Sequence, residues 1–137
     1  MNRRRFLTMT SVALVTAPFA ARAAAADYTP ELLASELAAG KTVFLDFKAS
    51  WCPTCKAQGR VIEELKAANP AYEANISFLN ADWDTWGESQ IVTDMNIPRR
   101  STLVVLQGDK ELGRIVAGTA KSEIQALMDL ALQAATA

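Results

Sequence analysis

The sequence predicts one α/β domain, a central mixed sheet flanked by helices and closed by an antiparallel hairpin, and three observations predict it. Segments dense in β-branched and aromatic residues alternate with segments of helical apolar period, an order that calls for parallel strand pairing. Two late apolar segments, Thr102 to Leu106 and Leu112 to Ala117, are joined through Gln107-Gly108-Asp109-Lys110, a hairpin signal. At 137 residues, 50 % of them hydrophobic, the chain has room for one such core and excludes a multidomain enzyme.

The elements follow in order. Thr29-Pro30-Glu31 reads as N-cap, first-turn proline and first-turn acid of a helix that continues through Leu32, Leu33 and Leu37 and ends at Gly40. Lys41 to Lys48 is apolar on both alternating faces, the pattern of a buried central strand. A second helix starts at Cys52 or Pro53 and runs to Ala68, with Val61, Ile62, Leu65 and Ala68 on one side and Asn69-Pro70 as its stop. Ile76 to Asn80 reads as another buried strand, and Glu88 to Met95 as a short helix packing through Ile91, Val92 and Met95. After the hairpin, a helix from Ala120 to Ala134 buries Ile124, Leu127, Met128 and Ala131 at i, i+3, i+4, i+7 spacing.

Charge divides the chain. Four of its arginines (Arg3, Arg4, Arg5, Arg22) and none of its acids lie before residue 27, so the remainder carries 10 basic against 15 acidic residues, a net charge of −5. That acidity argues against nucleic-acid binding. Residues 1–26 have a basic start, a mildly apolar stretch from Phe6 to Ala21, and small-residue cleavage sites at Ala21-Arg22-Ala23 or Ala24-Ala25-Ala26, the three parts of an export signal. The apolar stretch is too short and too polar for a transmembrane anchor, so no integral membrane protein is expected after cleavage. Arg3-Arg4-Arg5-Phe6-Leu7 resembles the twin-arginine signature, the competing reading being an ordinary Sec signal that contains three arginines. The expected organisation is a signal over 1–26, a periplasmic location and a domain over 27–137.

The chain has two cysteines and no histidine, which removes Ser-His and Cys-His nucleophilic pairs and histidine metal sites. What it offers is Trp51-Cys52-Pro53-Thr54-Cys55-Lys56, placed where the central strand hands over to a helix. That spacing on a first helical turn brings the two sulfurs close enough to form a redox-active disulfide. At an exposed helix start, free backbone N–H groups and the helix dipole favour a thiolate, lowering a thiol pKa from about 8.5 into the range of about 3.5–7.5. Cys52 is therefore the expected nucleophile, and the more covered Cys55 the thiol that resolves the mixed disulfide. A purely structural disulfide would close too short a loop to stabilise much, and a zinc site would need two further ligands. The expectation is a chemistry without cofactor or metal.

Phe44-Leu45-Asp46-Phe47-Lys48-Ala49-Ser50-Trp51-Cys52-Pro53-Thr54-Cys55-Lys56 resembles the active-site strand and helix start of the thioredoxin family. The resemblance extends over nearly all of the chain from Asp27 onward and implies the thioredoxin-like fold and thiol:disulfide oxidoreductase activity. Asn80-Ala81-Asp82-Trp83 and the following short helix are most similar to periplasmic members such as the C-terminal domain of DsbD-type conduits. The resemblance implies that Asp46 is a buried acid serving Cys55 as general base or proton relay. Its apolar neighbours Phe44, Leu45 and Phe47 agree, because burial raises a carboxyl pKa; the competing reading satisfies it with Lys48 or Lys56. Trp51 matches an aromatic wall of the substrate groove, which would also hold Pro53 and Thr54. Trp83 and Trp86 are expected to pack.

The family carries a cis-proline opposite the dithiol. Aligning Thr102-Leu103 on that strand places Ser101 there, with Pro98 three residues early. A non-proline cis bond costs about 2.5–4 kcal/mol, so the Arg100–Ser101 bond is expected trans. Ser101 would present a backbone N–H and a hydroxyl to the sulfurs, altering substrate release and thiolate stabilisation. Arg99 and Arg100 are either a positive groove rim selecting acidic partners or solvated loop charges. With no imidazolium beside Cys52 and no room for a helical insertion in 111 residues, a reductase of protein disulfides is expected rather than an oxidase, fed by a membrane electron donor and working as a monomer. The competing class is a copper-handling or docking module that binds through the dithiol without turnover. Met95 and Met128 have helix-core spacing and form no methionine cluster to support it.

Overall fold

The computed structural model describes residues 25–137; the twin-arginine-like stretch lies outside them. Five strands form one mixed sheet in the order β1-β3-β2-β4-β5. They are β1 (Ala26–Asp27), β2 (Thr42–Lys48), β3 (Ile76–Asp82), β4 (Thr102–Gln107) and β5 (Lys110–Val116). The helices are α1 (Pro30–Ala38), α2 (Pro53–Ala68), α3 (Ala71–Asn75), α4 (Trp83–Trp86), α5 (Gln90–Asp94) and α6 (Lys121–Ala135).

The expected fold class holds, and its elements begin and end where local chemistry says they should. Thr29 caps α1, its hydroxyl accepting from the Leu32 N–H at 3.1 Å, and Gly40 leaves the helix with φ +78°. β2 is central: β3 pairs with it in parallel and β4 antiparallel, in register through Asp46↔Asn80 and Asp46↔Leu103. The hairpin loop is tighter than the sequence suggests, since Gln107 pairs with Lys110 and leaves two residues to turn the chain, with Gly108 at φ +59°. A register shift after Val105 follows, which leaves Leu112 without an opposite residue.

Alternation along β2 feeds two cores. Phe44 enters a cluster with Ile62, Leu65, Phe78, Leu103 and the α6 residues Ile124, Leu127, Met128 and Ala131. Val43, Leu45 and Phe47 enter the cluster on the other face, against which Leu32, Leu33, Leu37, Ile91, Val92 and Met95 pack. Asp46 lies two residues from Phe44 and so shares the α2 side of the sheet.

Three elements were not anticipated. Ala26 and Asp27 form β1 against Leu79 and Asn80, although an alanine run has no strand preference of its own. Pro70 ends α2 as expected, but α3 forms directly after it, with Tyr72 buried and its hydroxyl donating to Asp129 of α6. Trp83 and Trp86 do pack, within α4: Trp83 sits edge-on to Phe47 and Trp86 edge-on to Tyr28. No helix among the described residues is long and apolar enough to cross a membrane.

Candidate active site

The site is built where β2 ends. Ala49-Ser50-Trp51 turns the chain, and Cys52 becomes the N-cap of α2, with extended backbone and its Sγ accepting from the Cys55 N–H at 3.1 Å. Pro53 fills the first helical position, exposed, and Thr54 behind it is half-buried. Both cysteines are free thiols.

Contrary to expectation, Cys52 is not exposed: both thiols are buried, at 0 % and 2 % exposure. Most of the cover comes from distant segments. Ala49 and Trp83 pack around both thiols, and Ser101 closes over them from the loop before β4. Its hydroxyl lies 3.2 Å from Cys52 Sγ and 3.1 Å from Cys55 Sγ, so one oxygen bridges the pair.

Ser101 stands where the alignment placed it, and no peptide bond among the described residues is cis. Its expected hydroxyl contact is present, but its N–H does not face the sulfurs; it donates to the Phe47 carbonyl of β2 at 2.7 Å. Ser101 instead holds φ +63°, a region unfavourable for a side chain. Several bonds over-determine that conformation. The Ser101 carbonyl accepts from the Ala117 N–H at 2.8 Å and from Gln58 Nε2 at 3.0 Å, and the same Gln58 amide donates to the Gly118 carbonyl at 2.9 Å. Gln58, fully buried on α2, was not anticipated. Its place one turn after Cys55 and four residues before Ile62, on the inward face, was the available signal.

Arg100 is neither a free rim charge nor a solvated one. Its guanidinium lies over the Trp51 ring, 4.5 Å from the centroid, with Nε buried and without a hydrogen-bond partner among the described residues. Trp51, 52 % exposed, is anchored in turn by Nε1 donating to the Asp84 carboxylate at 3.0 and 3.1 Å. Arg99 donates from Nε to the Arg100 carbonyl at 3.1 Å.

Burial pushes the Cys52 thiol up, but hydrogen bonds from Cys55, from Ser101, from the Cys55 N–H and from Arg100 outweigh it and bring the pKa down to about 7. Cys55 moves the other way, raised by burial and by the bond it makes to Cys52. Asp46 is 5 % exposed, and burial raises its carboxyl to about 6 against the opposing charges of Lys48 and Lys66. Lys48 was an expected partner; the other is Lys66, not Lys56. Asp46 Oδ1 has no hydrogen-bond partner among the described residues. Asp46 and Cys55 line the same cleft beneath α2, which opens to water. No group of three or more histidine, cysteine or acidic side chains that could hold a metal occurs among the described residues. The arrangement can hold one sulfur as thiolate near neutral pH, keep the second as thiol, and pass the second proton toward a buried carboxylate.

A family model described as Thioredoxin matches residues 24–130. The chain is 33 % identical over 85 residues to Thioredoxin H2-1 of Oryza sativa subsp. japonica, covering 62 % of this chain and 56 % of that relative, so the match spans little more than half the relative's length. It is 31 % identical over 103 residues to a thioredoxin of Chlorobaculum thiosulfatiphilum, covering 75 % and 87 %. Among solved structures, Trxlp from Edwardsiella tarda EIB202 superposes with a TM-score of 0.65 at 27 % identity, covering 77 % of this chain and 96 % of that one.

Two outcomes follow from these environments. Asp46 has an ordinary pKa of 3.8 and a folded one of about 6, so between those values the folded state binds more protons than the unfolded. Stability therefore falls as pH rises through that window, by about 3 kcal/mol in all. Asp46→Asn should flatten the pH dependence and raise the urea midpoint at pH 8, and an unchanged midpoint would contradict the assignment. Ser101→Ala removes a bond to a charged sulfur worth about 1.5–3 kcal/mol, so the Cys52 pKa, read from the pH profile of alkylation, should rise by about one unit or more.

Proposed function

The chain belongs to the thioredoxin family, and on that premise we propose that it is a periplasmic thiol:disulfide oxidoreductase that reduces protein disulfides through Cys52 and Cys55. The observation that carries the reading is the Ser101 hydroxyl within 3.2 and 3.1 Å of the two sulfurs, at a helix start that lowers the pKa of Cys52 alone. The Cys52 thiolate attacks one sulfur of a substrate disulfide; a Cys52–substrate bond forms, the substrate bond breaks, and the released thiolate takes a proton from water. Asp46, largely ionised at neutral pH, accepts the Cys55 proton through the cleft. Cys55 then attacks Cys52 Sγ, releasing the second substrate thiolate and closing the Cys52–Cys55 disulfide. Two electrons pass to the substrate.

Direction follows from the balance at Cys52. A pKa of about 7 lies near the weakly stabilised end of the range of about 3.5–7.5 for activated cysteines. The reduced form gains little, which supports a potential in the lower-to-middle part of the family's range of about −270 to −120 mV. The periplasmic assignment is supported by Arg3-Arg4-Arg5-Phe6-Leu7 and the apolar stretch after it. Cleavage after Ala23 would keep Ala26 for its pairing with Leu79, whereas cleavage after Ala26 would remove it. Electrons would come from a membrane conduit, as the likeness of Asn80-Ala81-Asp82-Trp83 to DsbD-type domains suggests.

The test is trapping. Cys55→Ser should accumulate mixed disulfides through Cys52, recovered from periplasmic extract on a chain that starts near Ala24, while Cys52→Ser traps nothing and reduces no insulin. Insulin reduction by Cys52→Ser at the wild-type rate would overturn the exchange reading, and adducts confined to the cytoplasm would overturn the location. Equilibration with glutathione is expected to give a potential well below about −120 mV; a value at that end would make the protein an oxidase.

A further inference from the structure

The cleft beneath α2 is larger than proton traffic requires. Its volume is about 670 Å³, whereas a water in the liquid takes about 30 Å³, and small-molecule sites run from about 300 to 1,000 Å³. Its apolar wall comes from Phe44, Phe78 and Ile62, the two rings 5.2 Å apart between centroids.

The charge of its rim is the opposite of the domain's. Lys48, Lys56, Arg60 and Lys66 line it against the carboxyl groups of Asp46 and Glu63, in a chain whose residues after 26 carry a net −5. Lys66 is held inside, its ammonium 4.0 Å from the Phe78 ring centroid and 3.5 and 3.7 Å from Glu63 and Glu73. The surplus therefore rests on Lys48, Lys56 and Arg60. Deeper in, Asp46 Oδ1 is a buried acceptor with no donor among the described residues. On the helix side Gly59 leaves the cleft open, because a Cβ there would meet nothing within 4 Å.

We propose that this cleft is a binding site for a small aromatic anion bearing an N–H or O–H donor. The aromatic body lies along Gly59 and the edges of Phe78 and Ile62, which keep 8 % and 5 % exposure above the buried Phe44, the anionic group meets Lys48, Lys56 and Arg60, and the donor satisfies Asp46. The site lies on the other side of α2's first turn from Trp51 and Arg100; it shares Asp46 and Cys55 with the proposed proton route, but binding there does not require exchange.

The probe is 1-anilinonaphthalene-8-sulfonate, which has an aryl body, a sulfonate and an N–H, titrated into the full chain and followed by fluorescence and calorimetry. Saturable binding of one probe per chain is expected. Gly59→Leu fills the open space and improves helix propensity, so it should weaken binding at least tenfold without loss of fold, checked by near-UV circular dichroism. Arg60→Glu should weaken it by a similar factor through charge alone. Cys52→Ser, which ends exchange, should bind as the wild type does, so failure of the exchange reading and failure of the site are told apart. No saturable binding, or binding of unchanged strength in both Gly59→Leu and Arg60→Glu, overturns the proposal.

Discussion

A carboxyl group sealed into the middle of an apolar strand sets the terms for the site. β2 has a neighbour on each side, so its backbone groups go into the ladders to β3 and β4, and its two faces supply two separate cores. Anything on this strand is inside, Asp46 included. Keeping that carboxylate buried costs about 3 kcal/mol at neutral pH, by its shift to about 6. Val43, Leu45 and Phe47, each fully buried, contribute about 1.5–3 kcal/mol apiece. The strand therefore tolerates the acid without difficulty, and a proton acceptor with a pKa near physiological pH results from its position alone.

The same strand fixes the dithiol from the opposite direction. Phe47, the residue after Asp46, gives its carbonyl to the Ser101 N–H, and this bond with those to Ala117 and Gln58 holds Ser101 at a positive φ. A proline could not serve here in the same way, since it has no N–H to give and its φ is fixed near −65°. The conformation aims a hydroxyl between the sulfurs, where the family pattern would put an apolar ring. An absent imidazolium is thereby partly replaced by a neutral donor at Ser101 and by the Arg100 guanidinium, which lies on Trp51. Hydrogen bonding compensates for burial at Cys52 and not at Cys55, and that difference supports the two proposed roles.

Much of this was legible in the residues. Thr29-Pro30, the double-faced run at β2, Asn69-Pro70 and the α6 stripe each carry a local cause, and the structure follows them. What escaped was set by distance along the chain. The helix start made Cys52 look exposed, yet its cover comes from Trp83 and Ser101, which lie 31 and 49 residues away. β1 exists because β3 offers an open edge, not because alanine favours strands. Arg100 read equally well as rim or solvated charge, since no local pattern tells an arginine stacked on a tryptophan from one in water. Gln58 carried a usable signal, a polar residue on the inward face of a helix, but what it holds, two carbonyls 43 and 60 residues away, was visible only in three dimensions.

The two sulfurs also look in different directions. Cys52 lies under Ser101, next to Trp51 on which Arg100 stacks, and Cys55 lines the cleft that holds Asp46. In the proposed mechanism electrons and protons therefore leave by separate routes: sulfur meets sulfur on the Trp51 side, and the resolving thiol loses its proton on the cleft side of the same helical turn. A base on the groove side would be covered by each substrate as it docked. Asp46 is buried but lines the cleft on α2's other face, so in the proposed mechanism it stays reachable through that cleft during the mixed-disulfide stage. Placing the proposed base on the central strand rather than beside the proposed nucleophile is thus a consequence of the fold that also suits the proposed chemistry.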